Sequence, residues 1–438
     1  MKKFVQSGFK GLTRHIVGGA AGGLMLNIVN QAFLLGITMV LTRIMSPSDY
    51  GLYAVILSVM LLLALPFSGG FPIFLMRHIG AAIAKDRYDL FRGLIQKTFI
   101  WIVGAGITLI LLTYFALPHI VGAQAYYYRI GLGLVILPPL LLFFDTLLRA
   151  MRRVVLGRFP EFFIQPAILF SLLAFLMISG VAAMPVQAVL GFHIASYAIA
   201  LSAGLLILYF CLPDKLKTAQ PAYDTKEWIK SALPLMLAVG LVVVNSNIDI
   251  VMVGALAGDT EAGQYRVATR MAGFVLFFLF ASNNAVGAIV STKHVKGEHG
   301  ELQTLLTAVA RAMMLGTLPI ALILWIWPQE ILTLFFGSAF AAGASALVIL
   351  SAANFFSVSM GQVGHVMSMT GQERYTAYAA LMAMVVNIAL NYLLIPHYGL
   401  TGAAIATGSS TIFWNALLAY WTAKKTGYHC SILGVIGK

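Results

Sequence analysis

The amino-acid sequence predicts an all-α integral membrane protein of about 12 transmembrane helices in two similar six-helix halves. The first observation is composition: 60% of the 438 residues are hydrophobic and 10% are charged, whereas a soluble domain carries about 25% charged residues. The second is length, because many apolar runs reach about 20 residues. Such a run can cross a ~30 Å hydrocarbon core as a helix and is too long for a barrel strand. The third is an internal repeat.

The internal repeat centres on Leu41–Ala54, whose sequence LTRIMSPSDYGLYA predicts a tight turn between two apolar runs. A weaker copy follows 212 residues later, where Gly263 aligns with Gly51 and Glu261 aligns with Asp49. Two copies imply two similar halves, and such halves in a membrane chain are typical of transporters.

The apolar runs place the spans in order along the chain. We expect them at roughly 16–42, 50–75, 94–117, 129–149, 161–181 and 186–211, and then at 231–256, 264–291, 305–327, 341–365, 375–395 and 400–423. The predicted domains are a cytoplasmic or interfacial segment (1–14), an N-terminal six-helix lobe (15–212), a cytoplasmic linker (213–230), a C-terminal six-helix lobe (231–423) and a cytoplasmic tail (424–438).

The lysines and arginines predict the orientation of the spans, since cytoplasmic loops are enriched in both residues. With the N-terminus inside, only four of the 28 fall on the outer side, namely Arg43, Arg129, Arg266 and Arg270. Both termini are then cytoplasmic, and an even number of spans before the second half makes the repeat parallel. The net charge of +13 follows from these loops, so we expect no nucleic-acid partner.

Four blocks of sequence, in order along nearly the whole chain, carry a family resemblance. They are Leu41-Thr42-Arg43 with Pro47, Asp49, Gly51 and Tyr53; Leu148-Arg149-Ala150 with Pro160, Glu161 and Pro166; Asp249 with Glu261, Gly263 and Tyr265; and Asn387, Asn391, Pro396, Tyr398-Gly399, Gly402-Ala403-Ala404 and Ala406-Thr407. Together they resemble polysaccharide flippases of the multidrug/oligosaccharidyl-lipid/polysaccharide exporter superfamily. Gln264 departs from the pattern, because the family tends to carry an apolar residue there.

The resemblance implies a flippase rather than an enzyme, with two six-helix lobes around a central cavity and alternating access. The implied substrate is a lipid-linked oligosaccharide, usually on undecaprenyl diphosphate, moved from the inner to the outer leaflet of the bacterial inner membrane. The product would feed O-antigen, capsule or exopolysaccharide biosynthesis. The implied partners are anionic membrane lipids, a polysaccharide polymerase and glycosyltransferases, and we expect a monomer. We expect no cofactor and no metal, but a proton or sodium gradient is a candidate driving force.

Arginines within spans are candidate ligands for the implied diphosphate, because a guanidinium can bind an anion through two parallel hydrogen bonds. A charged side chain at the bilayer centre costs about 2.5–3.5 kcal/mol. The arginines that lie within spans despite this cost are therefore candidates for function. Arg266 and Arg270 lie one turn apart on the eighth span, with Arg270 expected about two turns below its outer end. Arg266 has the alternative of extending to the interface.

Three further arginines lie at span ends. Arg77, expected to end the second span, and Arg149, at i, i+4 to Asp145, belong to a basic inner rim that could capture the diphosphate. Contact with anionic lipids is the alternative for that rim. Arg43 closes the first span on the outer side, where capping of the helix end is the alternative.

Asp249 is the one carboxylate well inside a span of the second half, at the same expected depth as Arg270. Three interpretations stay open: an ion pair with Arg270 that opens when substrate phosphate competes, a proton- or sodium-coupling site, and a permanent ion pair that fixes helix register.

Amide side chains inside spans are candidates for contacts with sugar hydroxyls, although amides also tie membrane helices together. The sugar-contact candidates are Asn27, Gln31, Asn245, Asn247, Asn283 and Asn284. Asn354, Gln362, Asn387 and Asn391 lie in the tenth and eleventh spans, where helix ties are the favoured role of the last two.

Two other functions compete with the flippase. A cation-coupled multidrug antiporter of the same superfamily needs an acidic cavity, which two deep carboxylates, each near an arginine, do not provide. A membrane glycan polymerase or ligase needs a large outer loop, and the outer loops here are short. A lipid II flippase typically has two more helices than this chain. No phosphate-binding Gly-Lys-Ser loop is present, so ATP hydrolysis is not expected.

Overall fold

The structure, a computed structural model, describes residues 2–181 and 183–434. Side chains are described for residues 22, 23, 25–181, 183–237, 239–283, 286, 287 and 289–434. Regular structure in the described residues is entirely helical. Among these residues, ten helical stretches are long and apolar enough to cross a membrane, and two of them, Tyr88–Ala150 and Glu373–Thr426, have 63 and 54 residues. Each of these two is long enough for two passes, which brings the ten stretches to the twelve predicted spans.

Contacts between residues divide the chain into two compact units, each of two segments. Unit 1 comprises Met1–Ile44 and Val59–Gly240, and unit 2 comprises Met45–Ser58 and Leu241–Lys438. Two helices therefore pass from one unit to the other, α2 (Pro47–Leu63) and α13 (Thr225–Leu256).

Unit 1 contains the end of α2 and the start of α13. Its other helices are α1 (Lys2–Ile44), α3 (Leu65–Ser68), α4 (Phe71–Ala84), α5 (Tyr88–Ile100), α6 (Gly106–Val121), α7 (Ala125–Gly131), α8 (Leu137–Ala150), α9 (Val154–Phe159), α10 (Gln165–Ile178), α11 (Val186–Cys211) and α12 (Asp214–Thr218). Two π-helical turns, Trp101–Ala105 and Pro160–Ile164, continue α5 and α9. Short 3₁₀ segments, Gly122–Gln124 and Leu132–Val135, flank α7. The backbone of α1 is helical without a break at residue 14.

The second predicted span is interrupted and longer than expected. The chain leaves α3 at Ser68, turns through Gly69 and Gly70, and continues as α4 to Ala84. Gly70 has φ +74°, a conformation that favours glycine, and a Cβ there would overlap the backbone of Leu235 in α13. Arg77 consequently lies in the middle of α4 and is exposed, so the prediction that it ends this span was wrong.

Unit 2 contains the start of α2 and the end of α13. Its other helices are α14 (Asp259–Ala272), α15 (Phe277–Lys296), α16 (His299–Ile326), α17 (Pro328–Phe336), α18 (Ala344–Ser359), α19 (Val363–Met369) and α20 (Glu373–Thr426). Short 3₁₀ segments, Gly273–Leu276 and Ser338–Gly343, join α14 to α15 and α17 to α18. Gly399 (φ 55°, ψ −137°) breaks α20 into two helical halves.

The two aligned glycines of the internal repeat meet inside unit 2. A Cβ on Gly51 would overlap the carbonyl oxygen of Asp259 and lie 2.9 Å from the amide nitrogen of Gly263, and a Cβ on Gly263 would lie 2.5 Å from the Pro47 carbonyl oxygen. The first turns of α2 and α14 therefore cross with their backbones in contact, which requires glycine on both helices.

The C-terminal segment after α20 packs on unit 2. The Tyr428 hydroxyl lies 3.1 Å from Nδ1 of His294 and 2.5 Å from Nδ1 of His299. The Gln303 side chain donates to the His429 carbonyl (2.7 Å) and accepts from its amide (2.8 Å). Cys430 is 3% exposed, and its carbonyl lies where Gly361 has no side chain.

Candidate functional site

Asp249 is a buried carboxylate near the end of α13, with 5% of its surface exposed. Its Oδ1 accepts a hydrogen bond from Nδ2 of Asn391 (2.7 Å), and its Oδ2 accepts one from Oγ1 of Thr407 (2.8 Å). The Tyr265 hydroxyl lies 2.9 Å from Thr407 Oγ1 and 3.5 Å from Asp249 Oδ2. Within the described part of the chain Asp249 makes no salt bridge. The carboxylate is thus held by neutral donors alone.

The break in α20 explains why these groups converge. Asn387 and Asn391 lie one turn apart on the first half of the helix, and Thr407 and Ser410 lie on the second half, after Gly399. Asn391 donates its second amide hydrogen to Asn387 Oδ1 (2.9 Å), and Asn387 donates to Ser410 (3.3 Å). We name this group of side chains the Asp249 cluster: Asp249, Tyr265, Asn387, Asn391, Thr407 and Ser410.

The chemistry of the Asp249 cluster suits a single positive charge. A buried carboxylate without a cation is costly, and hard cations prefer the oxygen ligands that carboxylate, hydroxyl and amide groups supply. Asn391 Oδ1 is buried without a hydrogen-bond partner among the described residues, so one acceptor beside the carboxylate is unused. No group of three or more His, Cys, Asp or Glu in the described residues could hold a metal ion. The Asp249 carboxylate can balance the charge of one monovalent cation.

The observed partners of Asp249 are neutral side chains, whereas its depth along α13 predicted Arg270. Two of its three interpretations required an ion pair with Arg270, and no such pair exists among the described residues. Asn387 and Asn391 were favoured as helix ties, and they bind groups on α13 and on the other half of α20. The i, i+4 spacing of these two amides within an apolar span was the signal that could have found them.

Arg266 and Arg270 lie on α14, both half-buried. Neither guanidinium makes a hydrogen bond or a salt bridge to a described residue, although six salt bridges occur elsewhere in the described chain. Because α14 begins at Asp259, Arg270 is 11 residues into the helix, about 16 Å along its axis. That is three turns rather than the two expected, since the turn ends at Gly258 (φ 96°). Within the described part of the chain, two cations without a hydrogen-bond or salt-bridge partner therefore lie one turn apart on α14.

Glu261, in the first turn of α14, is occupied elsewhere and leaves these arginines free. Its Oε2 accepts a hydrogen bond from the backbone amide of Leu400 (2.6 Å), the first residue after the break in α20. A carboxylate at the start of a helix satisfies free amides and interacts favourably with the helix dipole. A Cβ on Gly399 would overlap the same carboxylate, so glycine is required there.

Arg149 on α8 is already paired. Its guanidinium binds Asp145 Oδ2 at 2.8 Å, with side-chain exposures of 15% and 3%. Asp145 Oδ1, Arg149 Nε and Glu161 Oε2 are buried without hydrogen-bond partners in the described residues. A diphosphate could bind Arg149 only by competing with Asp145.

The other candidates are distributed over both units. In unit 1, Arg43, Arg77 and Gln31 are exposed and Asn27 is half-buried. In unit 2, Asn247 donates to the Val243 carbonyl of its own helix (2.9 Å), and Oδ1 of Asn245 and of Asn283 is buried without a partner among the described residues. The side chain of Asn284 lies outside the described residues. Among the described residues of the predicted set, Asp249 lies in the Asp249 cluster and Arg149 is paired with Asp145.

Comparison with solved structures identifies the fold. A multidrug resistance transporter of the MATE family, in an inward-facing conformation, matches with a TM-score of 0.76 at 14% identity, over 93% of this chain and 98% of that one. The lipid II flippase MurJ, in an inward closed conformation, matches with a TM-score of 0.65 at 14% identity, over 91% and 87%. A superfamily transporter from Pyrococcus furiosus, described as having a binding pocket of reversed polarity, matches with a TM-score of 0.66 at 13% identity, over 95% and 96%. These likenesses confirm the predicted two-lobe, all-helical membrane fold.

Comparison with protein sequences identifies the family. The probable low-salt glycan biosynthesis flippase Agl15 of Haloferax volcanii is 25% identical over 176 residues, which are 40% of this chain and 37% of that protein. A MatE family model matches residues 234–393. The model described as polysaccharide biosynthesis protein matches residues 18–288, more than half of the chain. The chain therefore belongs to the polysaccharide biosynthesis protein family, and its fold is that of the MATE-type transporters.

Proposed function

We propose that this protein moves a lipid-linked oligosaccharide, carried on a polyprenyl diphosphate of the undecaprenyl type, from the inner to the outer leaflet. The membrane is the bacterial inner membrane, with both termini in the cytoplasm, and the glycan is destined for a surface polysaccharide. Glycosyltransferases make the substrate and a polymerase consumes the product. The family and the relative named as a glycan biosynthesis flippase support the proposal, and the alternating-access cycle rests on the fold.

The observation that carries the proposal is that Arg266 and Arg270, one turn apart on α14, have no hydrogen-bond or salt-bridge partner among the described residues. A half-buried guanidinium without a carboxylate is costly in a membrane, so its retention requires a compensating role. A diphosphate supplies two adjacent anionic groups, and two arginines one turn apart match them. The nearby carboxylates do not neutralise the pair, because Asp249 is held by Asn391 and Thr407, and Glu261 by the Leu400 amide.

The Asp249 cluster is the site of the coupling cation in this proposal. Its ionised carboxylate accepts only neutral donors, so binding of one proton or one sodium ion removes a buried net charge. A sodium ion would take its ligands from the oxygens of the cluster, with Asn391 Oδ1 as the unused acceptor. Neutral partners also let the carboxylate change its charge without releasing an arginine.

The experiment is transport of a defined, labelled lipid-linked oligosaccharide in vesicles that contain the purified protein. Arg270→Ala is expected to abolish transport and Arg270→Lys to weaken it, because lysine keeps the charge but loses the bidentate geometry. Arg129→Ala is the matched control, since that guanidinium binds the Tyr114 carbonyl (3.3 Å) and lies over the Tyr114 ring. Normal transport by a well-folded Arg270→Ala protein would contradict the proposal.

A cation-coupled multidrug antiporter is the rival function. Free arginines repel cationic drugs, and the buried carboxylates Asp145 and Asp249 already have hydrogen-bonding partners. The same vesicles distinguish the two functions, because an antiporter would accumulate a cationic dye and leave the oligosaccharide lipid in its original leaflet.

A further inference from the structure

The junction between α14 and α15 begins three residues after Arg270 and is not α-helical. Residues Gly273–Leu276 form a 3₁₀ segment between Ala272, where α14 ends, and Phe277, where α15 begins. A 3₁₀ helix turns 120° per residue instead of 100°, so four residues rotate the following helix by about 80° relative to an uninterrupted α-helix. The face that carries the arginines is therefore not continued by α15.

Such a junction leaves carbonyl groups to be satisfied from outside the helix. Asn354, on α18, donates a hydrogen bond from Nδ2 to the carbonyl oxygen of Ala272 at 2.9 Å. Thr317, on α16, lies 3.5 Å from the carbonyl of Val275. Both carbonyl-bearing residues are buried, with 1% and 0% exposure, so water cannot replace the Asn354 amide there. Asn354 thus fixes the last residue of α14 to a neighbouring helix.

The other end of α14 is fixed as well. Glu261 binds the Leu400 amide, and the Gln264 side chain donates to the Ala339 carbonyl at 2.9 Å. The Tyr265 hydroxyl also lies 2.9 Å from Thr407 Oγ1 on α20. These bonds to α20 and to the 3₁₀ segment before α18, together with the Asn354 bond, set the rotation and height of α14. Asn354 holds the end of α14 that lies nearest to Arg270.

We infer that Asn354 is a positioning residue for Arg266 and Arg270: by holding the end of α14, it keeps the two guanidiniums in the register that fits a diphosphate. The inference rests on the proposed function. It assigns Asn354 no contact with the substrate, and it gives a role to an amide on α18, a helix that is otherwise mostly apolar. Loss of this bond would leave the arginines present but no longer aligned.

The test is binding of a fluorescent polyprenyl diphosphate to the purified full-length protein in phosphatidylcholine nanodiscs. Asn354→Leu is expected to raise the half-saturating concentration about tenfold, the effect of one hydrogen bond to a buried carbonyl, and Asn354→Gln to recover part of the loss. Asn415→Leu is the matched control, because Asn415 is likewise an amide that joins two helices: it lies on α20 and donates to Ser357 on α18 at 2.8 Å. Among the described residues it makes no hydrogen bond to α14. The control should bind the diphosphate normally and should lose at least as much thermal stability as Asn354→Leu.

A double-mutant cycle separates positioning from general stability. In a protein that carries Arg266→Ala and Arg270→Ala, adding Asn354→Leu is expected to change diphosphate binding no further. An equal weakening with and without the arginines would overturn the inference while leaving the diphosphate site intact. If the double arginine variant binds the diphosphate as wild type does, the proposed function fails and this inference fails with it.

Discussion

Replacement of Asp249 by asparagine tests whether the Asp249 cluster couples transport to an ion gradient. Asp249→Asn keeps the shape of the side chain and removes its charge. The new amide has one oxygen, which can accept from Asn391, and one NH₂ group, which can donate to the Thr407 hydroxyl. The variant should still fold and still bind the lipid, because the arginines on α14 do not pair with Asp249.

The structure sets the size of two effects of this substitution, one on stability and one on gradient-driven transport. Two hydrogen bonds to a charged oxygen, each worth about 1.5–3 kcal/mol, become neutral ones worth about 0.5–1.5 kcal/mol each. Removal of a buried charge that has no cation partner offsets part of this cost. We therefore expect a stability loss of about 1–2 kcal/mol. The functional effect is larger, since one elementary charge crossing 100 mV supplies about 2.3 kcal/mol, roughly a 50-fold bias in transport direction.

The assay measures flipping of a labelled lipid-linked oligosaccharide in vesicles with an imposed proton or sodium gradient. Wild-type transport should accelerate with one of the two gradients, and Asp249→Asn should flip the lipid at a rate that neither gradient changes. Asp49→Asn is the control, because in the described part of the chain that carboxylate accepts from the Ser46 hydroxyl just before α2 (2.8 Å) and lies outside the Asp249 cluster. Retention of the wild-type gradient dependence by Asp249→Asn would refute the assignment.

Three further predictions concern close packing and thiol reactivity. Gly399→Ala should destabilise the protein by several kcal/mol in thermal unfolding, because φ of 55° strains alanine and the new Cβ would overlap the Glu261 carboxylate. An unchanged melting temperature would show that the break in α20 does not require glycine. Gly51→Ala should reduce the yield of folded protein for a similar reason, because its Cβ would overlap the Asp259 carbonyl, and normal yield would show that the two helices can separate. Burial raises the pKa of Cys430 to about 12, so a maleimide should leave this thiol unlabelled at pH 7–8 until denaturant frees the C-terminal segment.

The sequence predicted the helical membrane fold and the repeat because both depend on local composition and spacing. Apolar run length alone yields the number of passes, and the pairing of Gly51 with Gly263 in the alignment is matched by their contact in unit 2. Helix phase was harder to predict. The break at Gly69–Gly70 and the 3₁₀ segment at Gly273–Leu276 change which residues share a face, and neither follows from hydropathy.

The partner of Asp249 could not be predicted for the same reason. Sequence spacing gives the depth of a residue along its helix, and by depth Arg270 was the natural partner. Which side of α13 faces which neighbour depends on tertiary packing, and the packing directs Asp249 toward two amide and hydroxyl groups from opposite halves of α20. Residues more than 140 positions away along the chain supply these bonds, so no local pattern contains them.

The choice of neutral partners for Asp249 bears directly on how the protein could work. If Asp249 and Arg270 formed a buried ion pair, an anion could bind Arg270 only after the pair had opened, and removing one partner of such a pair typically costs about 3–5 kcal/mol. With Asp249 satisfied by Asn391 and Thr407, anion binding on α14 carries no such cost. Cation binding at the cluster and anion binding at the arginines then use separate side chains. Asp249→Asn should accordingly change the gradient dependence of transport, and Arg270→Ala the affinity for the substrate.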